Sequence, residues 1–224
     1  SRIEPLDALG LGLTFVQGEG PVIARPIRSE GDLAGLPPFE PHQDLGYVLE
    51  TIRLVRRELD GKVPLIGFAG APFTLASYAV EGGPSRQYRH CKRMIWEAPQ
   101  LWHALMDRLA EITLAYLRAQ IEAGAQAVQL FDSWAGALSP QDYRQHVLPY
   151  SRRVLRGLQD TGVPVIHFAG QTSGYLELIR EAGGDVIGLD WRVDIGGARR
   201  RLGPGVAGPG NLAPRVLLAP RPVI

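Results

Sequence analysis

The chain has 224 residues, 45% hydrophobic and 21% charged, with a formal net charge of +1; it is long enough for one large domain or two small ones, with a sizeable core. The near-neutral balance argues against a general nucleic-acid or membrane-surface binder, no run approaches the ~18 apolar residues of a membrane span, and nothing at the start reads as a signal peptide. Cys91 is the single cysteine, so neither an internal disulfide nor a thiolate zinc site is available, and a reducing cytoplasm is the expected compartment.

Ser1 to Gly31 is punctuated by glycine and proline, with Leu11, Leu13, Phe15, Val22 and Ile23 around Gln17-Gly18-Glu19-Gly20, which predicts a loop or hairpin flap. No strand-to-helix unit surrounds the Gly-Glu-Gly, so it is not a phosphate loop. Leu36 to Pro41 is a proline-rich connector. Gln43 to Leu59 reads as an amphipathic helix with Leu45, Val48, Leu49, Ile52, Val55 and Leu59 on one stripe and Arg53, Arg56 and Arg57 facing away. Lys62 and Lys92 are the only lysines among 24 basic residues; coding bias explains this more simply than carboxylate or phosphate recognition by arginine.

Val63-Pro64-Leu65-Ile66, after Asp60-Gly61, looks like a buried parallel strand. Gly67 and Gly70 are expected to break it, Pro72 to open a helix carrying Leu75, Tyr78 and Ala79, and Gly82-Gly83-Pro84 to stop that helix. Arg86 to Trp96 follows, then a long helix from Gln100 to about Ala123, with Leu101, Leu105, Leu109, Ile112 and Tyr116 at helical spacing. Trp96 and Trp102 are read as packing residues.

A unit then repeats. Glycine precedes a short apolar strand at Ala127–Asp132, at Val163–Phe168 and at Asp185–Asp190, with a weaker copy at Gly205-Val206-Ala207. Helical patterns lie between, at Gln141–Gln159, Tyr175–Glu181 and Gly197–Leu202, with Ser139 as the cap of the first and Asp142 three residues on. This is the βα repeat of a parallel sheet. Counting Val63, the chain supplies about five strands where a closed barrel needs eight.

Ligands sit at the carboxyl ends of such strands. The residues there are Phe68 and Gly70; Phe131, Asp132, Ser133 and Trp134; His167 and Phe168; Asp190, Trp191 and Arg192; and Asn211. The aromatic residues suit a large, flat ligand, or they plug the barrel end as core. His167 reads as a core histidine. Asp132 and Asp190 fit acids or bases and fit caps of the following turns equally well. Ser133, His167 and Asp190 are the material of a triad, but no Gly-x-Ser-x-Gly elbow surrounds Ser133. No His/Cys/Glu cluster has metal-ligand spacing.

Gly67-Phe68-Ala69-Gly70-Ala71-Pro72-Phe73-Thr74-Leu75, Tyr78 and Glu81-Gly82-Gly83 strongly resemble the uroporphyrinogen decarboxylase family. Pro5 to Leu13, Val128 to Gly136, Leu148-Pro149-Tyr150 and Val186 to Arg192 extend the match over nearly the whole chain, in family order. The resemblance implies an α/β fold, the TIM (β/α)8 barrel. Residues 1–224 would form a single partial domain, an incomplete barrel of about five βα units. It implies a homodimeric carboxy-lyase of porphyrin and haem biosynthesis that converts the acetate side chains of uroporphyrinogen III to the methyls of coproporphyrinogen III, with no metal or cofactor and with no nucleic-acid or membrane partner. By carry-over, Tyr78 and Ser133 are hydrogen-bonding partners of the tetrapyrrole side chains, and Phe68 and Phe131 are pocket walls.

Departures from the family pattern bear on activity. The aspartate that gathers the pyrrole N–H groups would fall around Ser1 or Arg2, and Pro209 and Ala213 stand where the family has glutamine and aspartate. Ala169-Gly170-Gln171-Thr172 is also atypical. The sequence lacks an initiator methionine and stops at Val223-Ile224 within an apolar stretch, so both ends are expected to be cut, without the upstream carboxylate-anchoring arginines and the downstream histidine region. No catalytic residue is therefore assigned, and the chain alone is expected to be inactive. The alternatives are a cobalamin-linked methyltransferase of the same barrel, which would need a thiolate/histidine zinc site, and a non-catalytic tetrapyrrole-binding remnant.

Overall fold

The computed structural model describes residues 2–59, 61–204, 208 and 211–220. In chain order these form α1 (Glu4–Ala8), the hairpin β1 (Leu13–Val16) and β2 (Gly20–Ile23), α2 (Glu30–Ala34), α3 (Pro41–Asp44), α4 (Gly46–Leu59) and β3 (Ile66–Gly70). There follow α5 (Pro72–Glu81), α6 (Arg89–Glu97), α7 (Pro99–Glu122), β4 (Ala127–Asp132), α8 (Pro140–His146) and α9 (Leu148–Arg156). The last elements are β5 (Val165–Ala169), α10 (Leu176–Ala182), β6 (Val186–Gly188) and α11 (Ile195–Leu202), with short 3₁₀ turns between some of them.

The four strands β3-β4-β5-β6 form one parallel sheet in sequence order. Each is followed by a helix, so the chain builds part of a (β/α) barrel wall. The fifth expected copy, Gly205–Ala207, lies outside the described residues. Side chains alternate across the sheet. Val128, Leu130, Val165 and Ala169 are buried on the side covered by α7, α9 and α10, while Phe68, Gln129, Phe131, Ile166 and Phe168 face the other, more open side. Among the described residues no helix is long and apolar enough to cross a membrane.

Several expected boundaries move, each for a local reason. The strand expected at Val63–Ile66 runs instead from Ile66 to Gly70, through both glycines thought to end it. These glycines serve close approach. A Cβ on Gly67 would lie 2.8 Å from Gln120 Oε1, and one on Gly70 would lie 2.7 Å from the Arg2 carbonyl. Val63 is left half exposed. Pro72 opens α5 and Gly82 closes it in the left-handed region at φ +88°.

The helix expected over Gln43–Leu59 breaks at Leu45, so only α4 is continuous. Leu45 and Leu49 are buried, but Val55 stays exposed, and Arg56 lays its stem over Gly124 instead of facing away. The pattern over Gln141–Gln159 divides into α8 and α9 because Pro149 lacks an N–H to continue the ladder. Ser139 caps α8 as expected, accepting from the Asp142 N–H at 3.1 Å. The tryptophans part company. Trp102 is fully buried and donates to the His146 carbonyl at 3.0 Å, whereas Trp96 is an exposed residue.

Candidate functional site

A row of three rings crosses the open face of the sheet. Phe68 meets Phe131 edge-on at 5.8 Å between centroids, and Phe131 meets Phe168 at 5.7 Å. Phe131 and Phe168 are register partners on adjacent strands, which sets their spacing. Phe68, Phe131, Ile66, Gln129 and Arg2 line a cavity of about 490 Å³. Edge-to-face rings present both faces and edges to a flat ligand.

Tyr78 and Ser133 belong to one corner of this end. The N–H of Ala71 donates to the Phe131 carbonyl at 2.9 Å, and the Thr74 hydroxyl donates to the same carbonyl at 2.8 Å. Thr74 Oγ1 in turn accepts from the Ser133 N–H at 3.0 Å. The start of α5 is thus pinned to the end of β4. Tyr78, one helical turn beyond Thr74, packs its ring 6.2 Å from that of Trp134, the residue after Ser133, and Tyr88 stands 6.2 Å from the same indole. Ser133 Oγ is buried and has no hydrogen-bond partner among the described residues. An unpaired hydroxyl at the end of a parallel strand is a group with capacity left for a ligand.

The loop after β4 is fastened to the loop after β5. The Gly170 N–H donates to the Asp132 carbonyl at 3.2 Å and the Gly136 N–H to the Gly170 carbonyl at 3.1 Å. A Cβ on Gly136 would meet Gln171 Cβ at 2.4 Å, so only glycine fits there. Thr74 and Tyr88 were not singled out from the sequence. Thr74 had a usable signal, four residues before Tyr78 on the same helix face; Tyr88 had none, because it is drawn in by tertiary packing on Phe73 and Trp134.

The ionisable groups named from the sequence divide differently. Asp132 and His167 lie on the helix-covered side, both fully buried. Burial pushes the Asp132 carboxyl up to about 7, with the hydroxyls of Ser151 and Tyr143 beside it pulling the other way. Burial takes His167 down to about 4, opposed by the backbone carbonyls of Ile179 and Gly183. Among the described residues neither ring nitrogen of His167 has a hydrogen-bond partner, so no Ser133–His167–Asp190 triad forms. Asp190 accepts from the Gln171 N–H at 2.5 Å and the Arg192 N–H at 2.8 Å, the capping role. Arg192 lies 4.3 Å over the Trp191 ring, and the Asn211 side chain donates to the Val193 carbonyl. Cys91 is buried with its thiol pushed well up by burial, and no group of three His, Cys, Asp or Glu comes together among the described residues.

The family model for uroporphyrinogen decarboxylase (URO-D) matches residues 3–224. Curated relatives named uroporphyrinogen decarboxylase include one from Carboxydothermus hydrogenoformans, 56% identical over 220 residues, covering 98% of this chain and 63% of the relative. Another, from Streptomyces coelicolor, is 57% identical over 222 residues, covering 99% of this chain and 62% of the relative. The chain therefore spans a little under two thirds of the length of these relatives. Among solved structures, a methyltransferase from Methanosarcina mazei aligns at a TM-score of 0.78 with 20% identity, covering 94% of this chain and 61% of that one; this likeness speaks for the fold alone. The match along residues 3–224, with relatives of that name at 56% and 57% identity, leads to one conclusion: the chain belongs to the uroporphyrinogen decarboxylase family.

Proposed function

We propose that this chain supplies the tetrapyrrole-binding end of a uroporphyrinogen decarboxylase, a homodimeric cytoplasmic enzyme that removes CO₂ from the four acetate side chains of uroporphyrinogen III. The observation that carries the reading is that the Ser133 N–H is bonded to Thr74, one helical turn before Tyr78, while Tyr78 packs on Trp134, the residue after Ser133, at the end of the strand that carries Phe131 of the ring row. In this reading the rings hold the macrocycle, and the two hydroxyls hydrogen-bond to its carboxylate side chains.

The reaction requires the pyrrole ring to be protonated first. The electrons of the breaking C–CO₂ bond then flow into that ring, CO₂ leaves, and a second proton on the exocyclic carbon completes the methyl group as the ring proton departs. Donors and acceptors placed against the cationic ring lower this barrier. Arg2, near where the family resemblance places an aspartate, is among the residues that line the cavity, with its guanidinium 5.9 Å over the Trp134 ring; a donor-only side chain cannot accept pyrrole N–H bonds. The chain alone is therefore read as binding without turnover.

Two measurements test this. Uroporphyrin, the stable oxidised macrocycle, is titrated against tryptophan fluorescence, with saturable quenching expected and a loss of about tenfold in affinity for both Tyr78→Phe and Ser133→Ala. Uroporphyrinogen incubated with the chain and followed by HPLC is expected to yield no coproporphyrinogen. An absence of saturable binding, or variants that bind as the parent does, would overturn the site; product formation would overturn the lack of turnover.

A further inference from the structure

Behind Ser133, on the side of β4 turned to the helices, Asp132 ends the strand with its side chain shut off from solvent. Ser151 of α9 donates to Oδ2 at 3.2 Å. Among the described residues neither Oδ1 nor the buried hydroxyl of Tyr143 on α8, beside the carboxyl, has a hydrogen-bond partner. Tyr175 packs on Tyr143 at 5.4 Å between ring centroids and donates to the Ala135 carbonyl at 2.6 Å, within the turn that follows Ser133. The groups facing the carboxyl from the packed elements are thus Ser151, Tyr143 and Tyr175. Arg152, next to Ser151, is engaged with Glu181 at 2.8 Å. No cation pairs with Asp132 among the described residues.

A carboxylate so placed holds its charge against burial with hydroxyls and no cation to help it, which is why its proton affinity is raised into the neutral range, to about 7. The same cluster reaches the Ser133 loop twice, through the chain itself and through Tyr175 to Ala135. A ligand carboxylate arriving at Ser133 brings a second negative charge one residue from the first, and like charges raise each other's proton affinity.

We propose that Asp132 is a positioning residue whose buried carboxyl takes up one proton when an anionic ligand seats at Ser133, removing the charge behind that hydroxyl. This rests on the tetrapyrrole reading of the corner. Neutralised, the carboxyl presents no charge behind the Ser133 hydroxyl, and its proton becomes a donor that the oxygens of Ser151 and Tyr143 can accept.

The test is uroporphyrin affinity, read by tryptophan quenching from pH 6 to 9. In the parent chain affinity falls as pH rises through neutrality, approaching about tenfold per pH unit where one proton is coupled to binding. Asp132→Asn, neutral at every pH and similar in shape, abolishes that fall and keeps at pH 9 the affinity measured at pH 6. Ser151→Ala removes a hydroxyl that favours the charged form and moves the midpoint to higher pH; this variant decides the matter if Asp132→Asn does not fold. A fall that persists in Asp132→Asn, or a midpoint unmoved by Ser151→Ala, overturns the proposal. The ligand-free chain gives an independent readout in the near-ultraviolet circular dichroism of Trp134 against Tyr78 and Tyr88, expected to titrate near pH 7 and to lose that titration in Asp132→Asn. If uroporphyrin fails to bind at any pH, the tetrapyrrole reading falls, and the ligand-free titration alone decides: its presence keeps the proton site, its absence overturns it.

Discussion

Neighbouring residues on β4 meet opposite surroundings. Val128, Leu130 and Asp132 are closed in by helices of this same chain, while Gln129 and Phe131 between them stay partly open, alongside Phe68 at 41% exposure. The helix side is finished within the chain: its apolar groups are dry, and Asp132 and His167, caught there among them, are driven towards their neutral forms. The other side keeps aromatic rings that nothing in the described chain covers. Burial there is left for a ligand or for further protein to complete. The difference is one of function as well as stability, because rings already buried in the free protein would have little left to give on binding.

Paired truncations break or sharpen that comparison most directly. Leu130→Ala empties a fully buried position and is expected to cost about 3 kcal/mol of unfolding free energy. Phe131→Ala, next in sequence, removes a larger side chain from a half-open site and is expected to cost about 1 kcal/mol. Urea unfolding of the two variants measures the difference. Equal losses would mean that the two sides are equally enclosed.

The two buried ionisable groups make a pH prediction from the same contrast. His167 is held down to about 4 in the fold against 6.5 in the unfolded chain, so below pH 6.5 the unfolded state binds the extra proton and stability is lost as pH falls towards 4. Asp132 is raised from 3.8 to about 7, so its contribution is fully present below pH 3.8 and is lost as pH rises through 7. Between about pH 4 and 6.5 the slopes are opposite, each about 1.4 kcal/mol per pH unit, and they cancel. Each single variant should expose the other group. His167→Gln leaves a chain whose stability falls as pH rises, and Asp132→Asn one whose stability falls as pH drops, by up to about 3 kcal/mol across the window. Denaturant midpoints at a series of pH values check this; a steep slope in the parent chain would show that one of the two groups is not closed in.

How much of this was legible in the sequence follows the same division. The βα repeat from Ala127 to Asp190 could be read because glycine before each apolar run and helical periodicity after it are local signals. The pocket rings could be read for the same reason, since each ends such a run. The β3 boundary could not. Gly67 and Gly70 look like breakers until Gln120 and Arg2, far away in sequence, are seen pressed against them. Nor could the pairing state of Asp132 be read, because a strand-ending aspartate is a cap or a buried acid according to which side of the sheet it faces, and that depends on where the strand starts. Tyr88 illustrates the limit most plainly, as its place beside Trp134 is made by tertiary packing alone.

Gln120 gives a smaller effect at the sheet's edge. Its side-chain amide donates to the Phe68 carbonyl at 3.0 Å and accepts from the Phe68 N–H at 2.9 Å, acting as a one-residue substitute for a neighbouring strand. Gln120→Leu removes both bonds and leaves two backbone groups of β3 without them. About 2 kcal/mol of stability should be lost, and the freed edge should self-associate with rising concentration, as unpaired edges do. Unfolding at low concentration and sedimentation at high concentration separate the two effects. A variant as stable and as monodisperse as the parent would mean that water satisfies this edge equally well.

The smallest effect is expected at the loop that backs the Ser133 turn. Gln171 sits at φ +60°, in the left-handed region, which costs a side chain with a Cβ roughly 1–2 kcal/mol relative to glycine. Its N–H is held by Asp190 at 2.5 Å, and its Cβ occupies the space against Gly136, so the conformation is imposed from both sides. Gln171→Gly removes that strain, but the unfolded chain gains freedom worth about 0.5–1 kcal/mol. The net gain should be about 0.5 kcal/mol, a rise in melting temperature of about 1–2 °C for a chain of this size. Tyr88, at φ +51°, holds the same kind of backbone angle for a different reason, since its buried ring offsets the strain by packing on Phe73 and Trp134. Gln171 is partnered through its backbone, and nothing comparable holds its side chain in place. A loss of stability in Gln171→Gly would place the value of that residue in its side chain after all, against the Ser133 loop it touches.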